Sequence, residues 1–127
     1  MGEVIGMNGT AEATGEQRSR GPAVNEVRLL GRLAANPDMR FKPDGKPVTE
    51  LRVVTNERPE AEFHDVVTYG RLAEVVGEYV RKGGLVYVNG RLHAQTWKAQ
   101  DGSPRRRVVV IAESVQFLGR SGQEEHS

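Results

Sequence analysis

The sequence predicts an all-β domain: a five-stranded Greek-key barrel with one short α-helix between its third and fourth strands. Three observations lead there. Apolar and polar residues alternate with a period of two in several runs between residues 27 and 111, a single segment carries a helical period, and glycine-containing turns separate the runs.

In the first run, Val27-Arg28-Leu29-Leu30-Gly31-Arg32-Leu33, one face holds Val27, Leu29, Gly31 and Leu33, and the other holds Arg28, Leu30 and Arg32. This is the pattern of a strand with an apolar side and a basic side. Asn36-Pro37-Asp38 interrupts it, and residues 39–42 lead into Pro43-Asp44-Gly45-Lys46, where glycine supplies the positive φ that a tight hairpin needs. The return strand spans residues 48–55. A charged loop, Asn56-Glu57-Arg58-Pro59-Glu60-Ala61-Glu62, precedes a third strand over residues 63–69.

The helical period lies at residues 71–80, where Leu72, Val75, Val76 and Tyr79 fall at i, i+3, i+4 and i+7. Lys82-Gly83-Gly84 is expected to end the helix, the lysine facing its negative end and a glycine taking the left-handed cap. Leu85-Val86-Tyr87-Val88 then begins a long strand that bends at Asn89-Gly90 and reaches residue 98. Asp101-Gly102-Ser103-Pro104 turns the chain into a last strand over residues 105–111. Three strands, a helix and a long hairpin, in that order, make the arrangement of an OB-fold, although periodicity alone also suits other small barrels.

A chain of 127 residues has room for one domain with a core that needs no metal or disulfide staple. The absence of cysteine excludes a disulfide framework, a thiolate zinc site and a cysteine nucleophile. Residues 1–24 are rich in Gly, Glu, Ala, Thr, Ser and Arg without a period, and read as a flexible arm. Residues 119–127 read as a short polar tail, which leaves residues 25–118 as the folded domain. No apolar run approaches the roughly 20 residues of a membrane span, and the start lacks a secretory pattern, so a soluble cytoplasmic protein is expected.

The net charge of +1 hides an asymmetry, since residues 25–120 hold 16 Lys and Arg against 12 Asp and Glu, and the ends hold 2 against 5. A mildly basic domain is compatible with a phosphate backbone. The chain has no Gly-rich phosphate loop, metal-ligand cluster or nucleophilic triad, so neither catalysis nor a cofactor nor a metal is expected. Asp44-Gly45 and Asp101-Gly102 are turn chemistry, because the spaced oxygen ligands of a calcium loop are missing.

Several linked motifs carry a family likeness. Asn25-Glu26-Val27-Arg28-Leu29-Leu30-Gly31-Arg32-Leu33 with Asn36-Pro37-Asp38, His64-Asp65-Val66-Val67-Thr68-Tyr69-Gly70-Arg71-Leu72-Ala73-Glu74, and Tyr79-Val80-Arg81-Lys82-Gly83 are three of them. Val86-Tyr87-Val88-Asn89-Gly90-Arg91-Leu92 and Thr96-Trp97 before a glycine turn complete the set. In this order they resemble the bacterial single-stranded DNA-binding proteins. The resemblance implies an OB-fold, a homotetramer, a nucleoid-associated location and a role in replication, recombination and repair. It also implies aromatic rings that stack on bases and Arg or Lys side chains that neutralise phosphates.

Carried over by motif, the stacking positions are Trp97, Phe63, Tyr69 and Phe41. Trp97, the only tryptophan, sits in the polar stretch Gln95-Thr96-Trp97-Lys98, which lacks the apolar neighbours of a core anchor. Phe63 offers a smaller surface than the tryptophan common there in the family, and Tyr69 fits either a stacking position or a half-buried barrel wall. The phosphate candidates are Arg28, Arg32, Arg71, Arg91, Lys98, Arg105 and Arg106. Arg81 and Lys82 are assigned to the helix terminus, and Arg105-Arg106-Arg107 cannot all face one way in a strand.

His64 matches a histidine that lies at a subunit contact in the family. The loop at residues 56–62 is shorter than is common in the family and has no aromatic, so one familiar stacking tryptophan has no counterpart. The end, Glu124-Glu125-His126-Ser127, lacks an acidic tip with a terminal phenylalanine, and tail-mediated recruitment of partners is therefore not expected. The competing readings are a primosomal accessory protein of the same fold and a scaffold oligomer that has lost DNA binding.

Overall fold

The alternation of Val27–Leu33 decides how the barrel closes, because only residues on its apolar side enter the core. The computed structural model of the protein describes residues 21–56 and 59–119. Its elements are β1 (Val27–Leu33), β2 (Asp38–Phe41), β3 (Pro47–Asn56), β4 (Ala61–Tyr69), α1 (Gly70–Tyr79), β5 (Leu85–Lys98) and β6 (Pro104–Gly119). The sheet order is β1-β5-β6-β4-β3-β2, and β1 also pairs with β3. That extra pairing closes β1, β5, β6, β4 and β3 into a five-stranded ring, the architecture of an OB-fold.

The sixth strand, β2, was not expected as an element of its own. It pairs only with β3, from Asp38 opposite Glu50 to Phe41 opposite Pro47, and its four residues are all exposed. It is the outgoing arm of the Pro43-Asp44-Gly45 hairpin, appended to the ring and contributing nothing to closure. The last strand is also longer than residues 105–111. A register shift opposite Asn89 and Gly90 leaves Glu113 outside the pairing, and β6 then continues against the first half of β5 as far as Gly119.

The core is aliphatic. Leu33, Leu51, Val53, Val66, Val76, Val80, Val86, Val88, Val110 and Ala112 form one buried cluster, drawn from all five ring strands and the end of the helical segment. A smaller cluster of Val48, Val67 and Val109, with Ile111 against it, sits on the outward side of β3, β4 and β6. Two buried hydroxyls tie the helix to the wall. Thr49 Oγ1 donates to the Ala73 carbonyl at 2.7 Å, and Thr68 Oγ1 donates to the Thr49 carbonyl at 2.9 Å, so neither is left unsatisfied.

The helix follows the expected segment but shows the core a rotated stripe. Ala73, Val76 and Val80 are buried, whereas Tyr79 is exposed, because α1 lies across the end of the barrel near β3 and its closest neighbours must be small. Gly77 allows Met39 and Thr49 to approach there. The stop also differs from the expected glycine cap. Val80 is the C-cap in an extended conformation, pulled inward by burial, and the Arg81 guanidinium donates to the carbonyls of Gly77 (3.0 Å) and Val80 (2.8 Å). Gly83 has φ 87° but lies beyond the cap, where its N–H donates to the Leu33 carbonyl at 2.9 Å.

Two glycines permit close approach inside the ring. A Cβ on Gly31 would collide with the Val54 carbonyl oxygen where β1 meets β3, and one on Gly90 would collide with the Ile111 carbonyl at the bend of β5. Gly31→Ala is therefore expected to lower unfolding free energy by about 1–3 kcal/mol or more, as overpacking does. Urea titration measures it, and a midpoint unchanged from wild type would contradict the role given to this closure.

Candidate nucleic-acid interface

Strand register sorts every candidate by face. On β3 the even positions Val48, Glu50, Arg52 and Val54 lie opposite Tyr69, Val67, Asp65 and Phe63 of β4, and these eight share the outward side. Parallel pairing of Val67 with Ile111 carries this side onto β6, and antiparallel pairing carries it onto β5 through Arg91, His93, Gln95 and Trp97. Their partners are Ile111, Val109, Arg107 and Arg105 in the same order. One outward sector thus holds Phe63, Tyr69 and Trp97, three of the four aromatic candidates.

All three rings stand in solvent, with Phe63 54%, Tyr69 41% and Trp97 48% exposed. Two carry a cation. The Arg52 guanidinium carbon lies 5.2 Å from the Phe63 centroid, and Lys42 Nζ lies 5.7 Å from the Tyr69 centroid. Tyr69, open as either wall or platform on sequence grounds, is a partly exposed outward residue directly before the helix. Phe41 is more exposed still, at 66%, but shares the parity of Met39 and Thr49 on the opposite side of the β2–β3 ribbon. The structure therefore does not bring it together with the other rings.

The cations divide in the same way. Arg91 and Arg105 share the sector of Trp97, and Arg105 also approaches Asp101 at 4.0 Å. Arg106, opposite Thr96, and Lys98, opposite Pro104, have the other parity and lie on the reverse of the hairpin. Arg28 and Arg32 project from the outward side of β1 beside the first half of β5, a different sector with Leu30, Tyr87 and Asn89, and Arg32 Nη1 donates to the Gly83 carbonyl at 2.9 Å. Arg71 is on the helix surface and pairs with Glu74 at 3.1 Å. His64 has the inward parity, is half-buried, and its Nε2 lies 3.0 Å from Thr55 Oγ1.

Four basic residues of the sector were not singled out from the sequence: Arg40, Lys42, Arg52 and Arg107. Strand alternation could have found Arg52, since it stands between Leu51 and Val53, and could have paired Arg107 with Arg105. Arg40 and Arg107 are the centre of an ion-pair chain. Arg40 reaches Asp38 at 3.1 Å and Glu50 at 2.7 Å, and Arg107 reaches Glu50 at 3.2 Å and Asp65 at 3.6 Å. Two carboxylates of the sector, Glu50 and Asp65, are thereby engaged by its own arginines.

The hairpin that presents Trp97 is closed by a tight Asx turn. Asp101 Oδ1 accepts from the Ser103 hydroxyl at 2.6 Å and from the Ser103 N–H at 2.9 Å. The hydroxyl first, and then the backbone bond, hold the Asp101 carboxyl below its ordinary value.

Exposed rings and cations on the strand face and the β5–β6 hairpin of an OB-fold define the class: an oligonucleotide-binding barrel. The chain belongs to the single-strand binding protein family, whose model matches residues 24–118. It is 35% identical over 108 residues to a Single-stranded DNA-binding protein 1 of Xylella fastidiosa, an alignment covering 77% of this chain and 79% of that relative. It is 34% identical over 114 residues to the Single-stranded DNA-binding proteins of Neisseria meningitidis serogroups A and B, covering 83% of this chain and 64% of each relative.

The lowered Asp101 value predicts a pH effect confined to the hairpin tip. A carboxyl with a depressed folded pKa stabilises the turn above its unfolded pKa and loses that contribution as pH falls through the folded one. In Ser103→Ala the Asp101 midpoint should rise toward the ordinary carboxylate range when followed by side-chain carbonyl NMR. An unmoved midpoint would mean that the turn does not set it.

Proposed function

We propose that this protein binds single-stranded DNA with little sequence preference and so protects it during replication, recombination and repair. One observation carries the reading: Phe63, Tyr69 and Trp97 stand exposed on one sector spanning the β3–β4 face and the β5–β6 hairpin. Spaced along the sector, the exposed rings can each serve as a separate stacking platform for one base of a single strand. Each base has a π-face, so a row of rings takes any sequence, at about 1–3 kcal/mol per stacked base.

Arg91, Arg105, Arg52 and Lys42 surround the rings and supply phosphate contacts, each releasing counterions from the strand. Phe41 offers a further ring where DNA leaves the sector past the β2 hairpin. Arg106 and Lys98 extend the path around the tip, and Arg71 extends it at the helix beside Tyr69. Arg28 and Arg32 belong to the β1 sector, which suits a strand wrapping from one subunit to the next. A homotetramer is part of the proposal, with half-buried His64 near a subunit contact. The short β3–β4 connection carries no ring, so each subunit wraps less DNA.

Titrating Trp97 fluorescence with poly-deoxythymidine tests the reading. Quenching is expected at saturation, Trp97→Ala should weaken binding by about 1–3 kcal/mol, and affinity should fall steeply with salt. No shift of poly-deoxythymidine on a gel would leave a scaffold barrel without DNA. For assembly, light scattering at micromolar concentration should report a tetramer, and His64→Tyr should shift it toward smaller species by overfilling a packed contact. A wild-type monomer would remove that part.

A further inference from the structure

The hairpin bearing Trp97 overhangs the barrel, and its ties to the barrel can be followed outward residue by residue. Strand β4 pairs with β6 only at Val66–Val110 and Val67–Ile111. Beyond these, residues 93–98 and 104–109 find ladder partners only in one another, and residues 61–65 find theirs only on β3. Val109 is the last apolar tie, buried with Val48 and Val67. Two residues further out, Arg107 Nη2 reaches Glu50 on β3 at 3.2 Å and Nη1 reaches Asp65 on β4 at 3.6 Å. Its Nε donates to Gln95 Oε1 on β5 at 3.0 Å. Another two residues out, the ion pair formed by Arg105 is with Asp101, inside the hairpin itself.

Resting on the single-stranded DNA reading, we infer that Arg107 is the positioning residue of the interface, the clamp that fixes the Trp97 hairpin against β3 and against β4, which carries Phe63 and Tyr69. A guanidinium is suited to this work, since its planar fork presents five donors on three nitrogens in fixed directions and so reaches two carboxylates and an amide on three different strands at once. It is poorly placed to serve DNA as a charge. Its side chain is 35% exposed, and a phosphate that captured it would take the ion-pair partner from Asp65 and leave Glu50 to Arg40 alone beside the incoming strand. Arg107 therefore acts through the spacing of the rings, and preorganisation of that spacing removes an ordering cost from binding.

The role separates cleanly from phosphate binding. In the free full-length protein, Arg107→Gln and, separately, Glu50→Gln with Asp65→Asn should raise amide exchange at residues 95–98 and 105–107 at least about tenfold. The core amides of β3 and β5 should stay protected. Single-stranded DNA affinity of Arg107→Gln should fall several-fold while the slope of log affinity against log salt stays within about 0.3 of wild type. A lost phosphate contact to a single strand would instead remove about 0.7 from that slope. Hairpin exchange unchanged in Arg107→Gln, or a slope reduced by the full amount, would overturn the inference. A wild-type protein that binds no poly-deoxythymidine would fail the DNA reading instead, leaving the exchange result to judge the clamp on its own.

Discussion

Closure of the barrel rests on β1, which ladders with β5 from Val27 to Arg32 and with β3 only at Arg32 and Leu33. A strand can serve two neighbours in this way only where its backbone comes close enough to cross from one to the other. Gly31 marks that crossing, facing the Val54 carbonyl with no side chain between them. Everything else in the ring depends on it. With β1 in place, Leu33 joins Leu51, Val53 and Val86 in one core, and the inward parity of β3, β4 and β5 is set.

Once inward parity is set, outward parity follows, and the candidate surface is what remains. Aliphatic residues fill the interior, so Phe63, Tyr69 and Trp97 are left outside, where Arg52 and Lys42 sit over two of the rings. The outward side is not uniformly cationic. Glu50 and Asp65 occupy its middle and hold Arg107, with Arg40 on the same Glu50 oxygen.

Much of this architecture was legible from residue patterns. The alternation of Val27–Leu33 matches its burial, with Gly31 and Leu33 buried and Arg28 and Leu30 exposed. Gly45 and Gly102 mark turns with positive φ, and the helix falls between the expected strands. The helical stripe departs from its period only at Tyr79, which fits i+7 yet is exposed, while Val76 is buried, Leu72 packs on the core, and Ala73 and Val80 are buried beside them. The end of β6 was missed because the bulge at Glu113 breaks the alternation on which a strand is recognised.

The sequence by itself determined the all-β class, the place of the helix among the strands, the family likeness and the exposure of Trp97, because these depend on local period, turn chemistry and polar surroundings. Tertiary structure alone decided which candidates share a surface. Register within the β5–β6 hairpin puts Arg105 with Trp97 and turns Arg106 away, register within the β2–β3 hairpin separates Phe41 from Tyr69, and alignment of strands far apart in the chain sets Arg107 between Glu50 and Asp65. The physical reason is that a side chain's face is local, with a period of two along its own strand. The face it meets depends on how strands 40 or more residues apart are aligned, as Glu50 and Arg107 are, 57 positions from each other.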